Sequence, residues 1–176
     1  MKPPDEFRTK RLLLRKLKEE DADSIFISFD QDQEVTKYLP WNPRTNIEQT
    51  RDFVHRRVED WLEDIEFTWA ICLSEGGLIG CINLIIYESR ATTGFILERQ
   101  YWNNGFATEA LQAIVKWAMD QAEIFRIWAY CDVENKASMR VLEKVGMERE
   151  GILHRWRIHP NISAIPRDCF SYACYK

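Results

Sequence analysis

The stretch Trp102-Asn103-Asn104-Gly105-Phe106-Ala107-Thr108 combines the residue types of an anion-binding turn. It follows an apolar run, Gly94 to Leu97, and it opens a segment in which Ala107, Leu111, Ile114, Val115 and Ala118 recur at helical spacing. A strand, a Gly-containing loop and a helix start leave loop and first-turn N–H groups without partners. The helix dipole favours negative charge beside them. The chemistry this predicts is capture of a phosphorylated ligand. Gly105 lets the chain come close because it has no Cβ, Ala107 keeps the approach clear, and Thr108 adds a hydroxyl. Further on, Asn135 suits a helix N-cap, and Ser138 brings a second hydroxyl one turn later.

Other reactive side chains point elsewhere. The five cysteines, at 72, 81, 131, 169 and 174, are odd in number, form no Cys-x-x-Cys pair and fall in strand-like runs. That pattern reads as reduced core thiols. A thiol nucleophile needs a positioned histidine, and His55, His154 and His159 sit in no recognisable setting. No metal site is expected.

The elements that must hold these residues follow from periodicity. Leu12 to Leu17 reads as a strand, and a helix starts near Asp21 with Ile25, Phe26 and Phe29. Two prolines keep Tyr38-Leu39-Pro40-Trp41-Asn42-Pro43 irregular. Thr45-Asn46-Ile47-Glu48 fits a capping box ahead of a helix carrying Ile47, Val54, Val58, Trp61 and Leu62. Strands follow at 67–73, 78–87 and 92–97, with a Gly76-Gly77 turn between the first two. A helix at 107–121, a strand at 126–133, a helix capped by Asn135 and ended at Gly146, and strands at 150–158 and 168–175 complete the chain. Met139, Leu142 and Val145 form the last helix's inner face. Trp61, Trp69, Trp117 and Trp128 are expected in the core. The order predicts a mixed α/β (α+β) layer fold.

A chain of 176 residues, 45% hydrophobic and 12% aromatic, suits one domain, 1–176, with a real core. A net charge of −4 argues against nonspecific nucleic-acid binding, which needs a basic face. Lys16-Leu17-Lys18 and Arg56-Arg57 read as solvated faces. No run approaches the ~20 apolar residues of a membrane span, and Met1 to Asp5 lacks an apolar signal core. The expectation is a cytoplasmic protein with neither nucleic-acid nor membrane partners.

Taken in order, several motifs resemble the GNAT acetyltransferases: Trp102 to Ala110 after a strand, Asn135-Lys136-Ala137-Ser138 after the next strand, and Val141-Leu142-Glu143-Lys144-Val145-Gly146-Met147. Thr9-Lys10-Arg11-Leu12-Leu13-Leu14-Arg15, Tyr38-Leu39-Pro40-Trp41 and Glu150-Gly151-Ile152-Leu153 are similar to the branch of ribosomal-protein N-terminal acetyltransferases. The resemblance implies a mostly antiparallel central sheet of about seven strands flanked by about four helices. It also implies acetyl-CoA as co-substrate and acetyl transfer to a primary amine, either a protein N-terminal α-amine or a small-molecule amine. The family's loop, Gln/Arg-x-x-Gly-x-Gly/Ala, falls on Trp102 to Ala107, with Trp102 in the first place. Asn103 stands where the branch has a further glycine, and Asn tolerates positive φ best among the others.

By the same resemblance, pyrophosphate lies over the N–H groups from Asn103 to Thr108, including Asn104, Gly105, Phe106 and Ala107. The Leu97 N–H meets the thioester carbonyl, Asn135 contacts the pantetheine arm, and Ser138 protonates the leaving thiolate. Arg140 and Lys144 are further candidates for a CoA phosphate. Leu142 occupies the place of a tyrosine acid in other branches and cannot donate a proton. Thr92 occupies the place of a glutamate base in some relatives, so the base stays unassigned among Glu34, Glu88, Glu98 and Tyr130. Tyr38 and Trp41 are candidates for the acceptor wall. Dimers are common among similar proteins, so a homodimer is one assembly open to the chain. The rival reading is an acyl-CoA-binding module without turnover.

Overall fold

Leu12 and Leu14 turn to one side of their strand and Leu13 to the other, and the sheet is built on that alternation. A computed structural model describes residues 1–176. In chain order the elements are β1 (Glu6–Arg8), β2 (Leu12–Lys16) and α1 (Asp21–Ile25), which runs into a π-helical turn (Phe26–Asp30). Next come α2 (Gln33–Thr36), α3 (Ile47–Leu62), β3 (Phe67–Leu73), β4 (Leu78–Tyr87) and β5 (Arg90–Leu97). A 3-10 turn (Arg99–Tyr101) leads to α4 (Phe106–Asp120), β6 (Arg126–Asp132), α5 (Lys136–Lys144), β7 (Glu148–His159) and β8 (Ser163–Tyr175). The strands form one sheet in the order β1-β2-β3-β4-β5-β6-β8-β7.

The mixed, mostly antiparallel α/β fold is the expected one, with eight strands and five α-helices rather than about seven and about four. The additional strand is β1, three residues paired to β2 at the sheet edge and too short to show a period. The additional helix is the four-residue α2, started by Asp32, whose carboxylate accepts from the N–H of Glu34. The cap of α3 also differs from expectation. Asn46, not Thr45, is the N-cap, and its side chain accepts from the N–H of Glu48.

Two cores share the sheet. On one face, α4 and α5 bury Ala110, Leu111, Ile114, Val115, Ala118 and Leu142 against Leu14, Trp69, Ile82 and Ile127. Ala107, expected in that stripe, is only half-buried because it sits in the first turn. On the other face, α1, the π-helical turn and α3 bury Ile25, Phe29 and Val54 against Ala70, Cys72 and Cys81. Trp61 and Trp69 are core as expected, whereas Trp117 and Trp128 are half-buried. Cys72, Cys81, Cys131 and Cys169 are buried free thiols, and burial pushes all four up in pKa. No helix is long and apolar enough to cross a membrane.

Candidate active site

The strands β5 and β6 are the only parallel neighbours in the sheet, and they pair only from Arg90–Arg126 to Thr92–Trp128. Past that point β5 keeps its bonds to β4, and β6 keeps its bonds to β8. The facing edges are left open at their C-terminal ends, and the N-termini of α4 and α5 lie just beyond. The Glu98 N–H donates to Ile79 O at 2.8 Å, towards β4. Strand alternation therefore turns the N–H groups of Leu97 and Phe95 the other way, into the gap.

The loop after β5 is shaped by two left-handed residues. Asn103 has φ 61° and Gly105 has φ 79°, so Asn103 takes the conformation anticipated for a glycine. Gly105 is the N-cap of α4 and supplies no side chain. The first bond back into the helix here runs from Glu109 N–H to Gly105 O at 3.0 Å. The N–H groups of Phe106, Ala107 and Thr108 are thus the open donors of the first turn. Trp102, Asn103, Asn104 and Gly105 are exposed. The Trp102 indole N–H donates to Leu97 O at 2.7 Å and ties the loop to the strand end. Asn104 Nδ2 donates to Trp102 O at 2.9 Å.

A brace that sequence reading did not assign lies beneath this loop. Glu109 Oε1 accepts from Thr9 Oγ1 at 2.6 Å and from Arg11 N–H at 2.8 Å. Its Oε2 accepts from Arg11 Nε at 2.7 Å, and Arg11 Nη1 reaches Asn104 O at 3.0 Å. The guanidinium also stacks 4.4 Å from the Phe106 ring. Burial would raise the Glu109 carboxyl, but Thr9 and Arg11 outweigh it and hold it below the usual range. The signal was present in the sequence, since Thr9, Arg11 and Glu109 all fall within the motifs noted above.

Across the gap, Asn135 caps α5 as expected, with Oδ1 accepting from Ser138 N–H at 3.1 Å. That bond places Ser138, half-buried, in the first turn of α5. Leu142 is 1% exposed and belongs to the core. At the end of β6, Asp132 is 1% exposed and is held by Arg167 through bonds of 2.6 and 3.1 Å. His159 is buried beside it, with Nε2 3.7 Å from Asp132 Oδ2 and 3.9 Å from Cys169 Sγ. Its Nδ1 is buried without a partner. Sequence reading passed over His159 because its neighbours come from β6 and β8, far away in the chain.

Tyr38 and Trp41 lie on opposite flanks of their loop. Tyr38 meets the His159 ring edge-on at 6.4 Å between centroids. Trp41 folds back on Phe53 of α3 at 6.1 Å, beneath Arg44. Arg44 is bound to the buried carboxylate of Asp30, which Thr50 Oγ1 also reaches at 2.6 Å. Asn161, in the β7–β8 turn, donates to Thr36 O at 2.7 Å and Trp41 O at 2.8 Å, fastening the loop to the hairpin. Arg57, expected on a solvated face, instead pairs with Glu66 and Asp60. Of the four base candidates, Tyr130 lies on β6 beside the gap. Glu88 sits at the closed end of β5 against Arg90, Glu34 is exposed on α2, and Glu98 ends β5 half-buried. No group of three or more His, Cys, Asp or Glu side chains is placed to hold a metal ion.

Known proteins share this fold. Residues 11–148 match the family described as the acetyltransferase (GNAT) domain. An uncharacterized N-acetyltransferase p20 of Bacillus licheniformis is 35% identical over 149 residues, 82% of this chain and 83% of the relative. A GNAT-family acetyltransferase structure from Bacillus anthracis aligns with TM-score 0.84 at 31% identity, covering 97% of this chain and 98% of the other. The microcin C7 self-immunity acetyltransferase MccE, solved with acetyl-CoA and AMP, aligns with TM-score 0.88 at 20% identity, over 99% and 98% of the two chains. At that identity the likeness is one of fold. The chain belongs to the GNAT family of acetyltransferases and is an acetyl-CoA-dependent acyltransferase.

Proposed function

We propose that the chain moves the acetyl group of acetyl-CoA onto a primary amine by direct attack in a ternary complex. The observation that carries this reading is the open β5–β6 gap, which ends in the unpaired N–H groups of the Asn103–Thr108 loop. The loop suits a pyrophosphate. It is exposed, its helix start has no side-chain cap, and a Cβ on Gly105 would be strained at its φ of +79°. Trp102 fixes the loop's base, and Asn135 and Ser138 face a pantetheine arm lying along the gap.

Acetyl-CoA supplies an activated thioester. The amine lone pair forms the new C–N bond, the C–S bond breaks, and sulfur leaves with the electron pair. The amine's proton passes to water. The Leu97 N–H, with Phe95 beside it, is a fixed donor for charge developing on the carbonyl oxygen, a role that costs about 3–4 kcal/mol to lose where such a donor has been removed. Ser138 gives a proton to the leaving thiolate and takes one back from water, and the thiol's ordinary pKa of ~8.5 makes that help modest. An α-amine, with pKa ~8, is partly neutral at physiological pH, whereas an alkylamine near the lysine value of ~10.4 must first lose its proton to water. The loop of Tyr38 and Trp41 borders the acceptor side. In this reading residues 1–176 are one domain working in the cytoplasm, as monomer or homodimer, without nucleic-acid or membrane partners.

Calorimetric titration with acetyl-CoA, followed by thiol-release assays on N-terminal peptides, polyamines and aminoglycosides, tests the proposal. Saturable binding and release on at least one amine class support it. Absence of acetyl-CoA binding overturns it.

A further inference from the structure

We propose that Trp128, Tyr130 and Trp156 form the acceptor-selecting surface of this enzyme, and that it takes a primary amine carrying an aromatic ring. The inference rests on the acetyl-transfer reading above and adds the acceptor's class.

Three observations place the surface. Ile127, Ala129 and Cys131 point into the core under α4, so alternation turns Trp128 and Tyr130 to the opposite face of the sheet. There α1 and α3 lie over β3 and β4, and the two rings stay half-exposed. Thr92 and Trp128 are the last parallel pair, so the next residues on this face are Gly94 on β5 and Tyr130 on β6, where the strands part. Gly94 is exposed and has no side chain; the Asn83 carboxamide accepts its N–H at 2.7 Å and borders it on the β4 side, and Tyr130 stands across the mouth of the gap. An amine on a ring seated there is within a few bonds of the N–H groups of Phe95 and Leu97.

The third ring is brought in by a distorted strand. Leu153 faces Cys169 and Arg157 faces Arg167, so β7 takes four steps where β8 takes two. Within this bulge Arg155 adopts φ 50°, and its N–H donates to Asp168 Oδ1 at 2.8 Å. Bulges re-aim side chains, and a non-glycine residue held at positive φ marks a site where the surroundings impose the shape. Here the consequence is that Trp156 meets Tyr130 edge-on at 6.0 Å while remaining 46% exposed. Tyr130 in turn lies 6.1 Å from Trp128, whose indole N–H is fixed by Tyr87 Oη at 2.7 Å. The far side of Trp156 borders a hollow shared with Pro40 and Ile158, continuous with the Tyr38–Trp41 loop.

Charge decides between an aromatic and a polycationic guest. Aromatic faces attract cations, but a polyamine also needs free carboxylates. On this side Glu66 is bound to Arg57, Glu88 to Arg90, Glu150 to Arg126, and Asp168 to His154, which leaves Glu98 at the end of β5 without an ion pair, a single charge that matches one ammonium rather than the several of a polyamine. Arg90 already covers the Tyr87 ring at 5.1 Å. A neutral planar ring stacks on the exposed faces without needing a counter-charge.

The test is steady-state acetylation by the full chain, followed by thiol release. Tryptamine and phenethylamine are compared with cyclohexylethylamine, spermidine, and peptides beginning with Trp or Ser. The expected result is kcat/KM about tenfold or more higher for the aryl amines than for the cyclohexyl amine and spermidine. The Trp-led peptide separates an aromatic N-terminus from a free aryl amine as the source of the ring. Trp156→Ala raises KM for the favoured amine about tenfold with acetyl-CoA affinity unchanged by calorimetry, and Trp156→Phe recovers most of it. Equal rates on aryl and cyclohexyl amines, a preference for spermidine, or a KM indifferent to Trp156→Ala overturns the inference while leaving acetyl transfer standing. Failure to bind acetyl-CoA removes the function and this inference together.

Discussion

The two banks of the β5–β6 gap are made from different materials. On the bank of β5 and α4 the ligand-facing groups are backbone N–H donors, presented by two left-handed residues within three positions, Asn103 and Gly105. On the bank of β6 and β7 the proposed acceptor-facing groups are the side chains of Trp128, Tyr130 and Trp156, with the buried Asp132–His159 pair and Tyr38 of the loop after α2 packed nearby. In the proposed reading, backbone donors recognise what every acetyl-CoA has in common and side chains recognise what differs between acceptors, so that one fold would keep its co-substrate while its acceptor changes.

The strongest way to break this contrast is to damage only the first bank. Gly105→Asp keeps a residue type that tolerates positive φ but sets a carboxylate among the open N–H groups. Acetyl-CoA affinity is expected to fall about 100-fold or more, since several charge-assisted bonds at roughly 1.5–3 kcal/mol each are lost, while Tm falls only by the strain of a side chain at φ +79°. Calorimetry beside a thermal melt checks both. An unchanged affinity would mean that the loop does not hold the phosphates.

The brace gives the next effect. Glu109→Ala leaves Thr9 and the Arg11 N–H without their acceptor and frees the guanidinium that holds Asn104 O. Unmade bonds of this kind cost about 1–3 kcal/mol. Both stability and acetyl-CoA affinity should therefore drop, the latter about tenfold, whereas Gly105→Asp acts mainly on affinity. If Glu109→Ala lowers Tm but leaves affinity intact, the brace is structural and the loop keeps its shape without it.

A smaller effect belongs to Ser138. Ser138→Ala should lower kcat only several-fold at neutral pH, because a thiolate of ordinary pKa ~8.5 leaves with little help, and the acetyl-CoA dissociation constant should hold. The deficit should grow as the leaving group is made more basic. A loss of more than about a hundredfold would give Ser138 a larger part than proton donation to a thiolate.

What was legible in the sequence divides along the same line. Periodicity places α3, α4 and β3 to β5 closely because each buries a face of its own. The loop from Trp102 to Thr108 is legible because its donors and turn residues are consecutive. β1 and α2 were missed because three or four residues carry no period. Trp128 reads as core by residue type, yet its partners, Tyr87 and Tyr130, put it on an open face. The Arg155 bulge that aims Trp156 depends on a mismatch between two strands, which no local pattern records.

His159 offers the finest test, because it asks whether the second bank is stable by packing or by charge. Burial pushes its pKa below the ordinary 6.5, against the pull of Asp132, while Arg167 adds to the lowering. The folded chain therefore holds this ring neutral where the unfolded chain would protonate it. Stability is lost as pH falls below 6.5 towards the folded value, and the loss levels off beneath that value. Asp132 behaves separately. Burial raises it, but Arg167 and the Glu134 N–H prevail and keep it below its ordinary 3.8, so its contribution persists until the pH falls through that lower range. Thermal melts from pH 7.5 to 5 should show a falling Tm in the native chain and a flatter profile in His159→Phe, which keeps a buried ring and removes the titration. The acid limb below pH 4 should survive in that variant, because Asp132 and Arg167 are intact. If the slope between pH 6.5 and 5 is the same in both, His159 is neutralised by packing alone, and the side-chain bank is as indifferent to charge there as the backbone bank is.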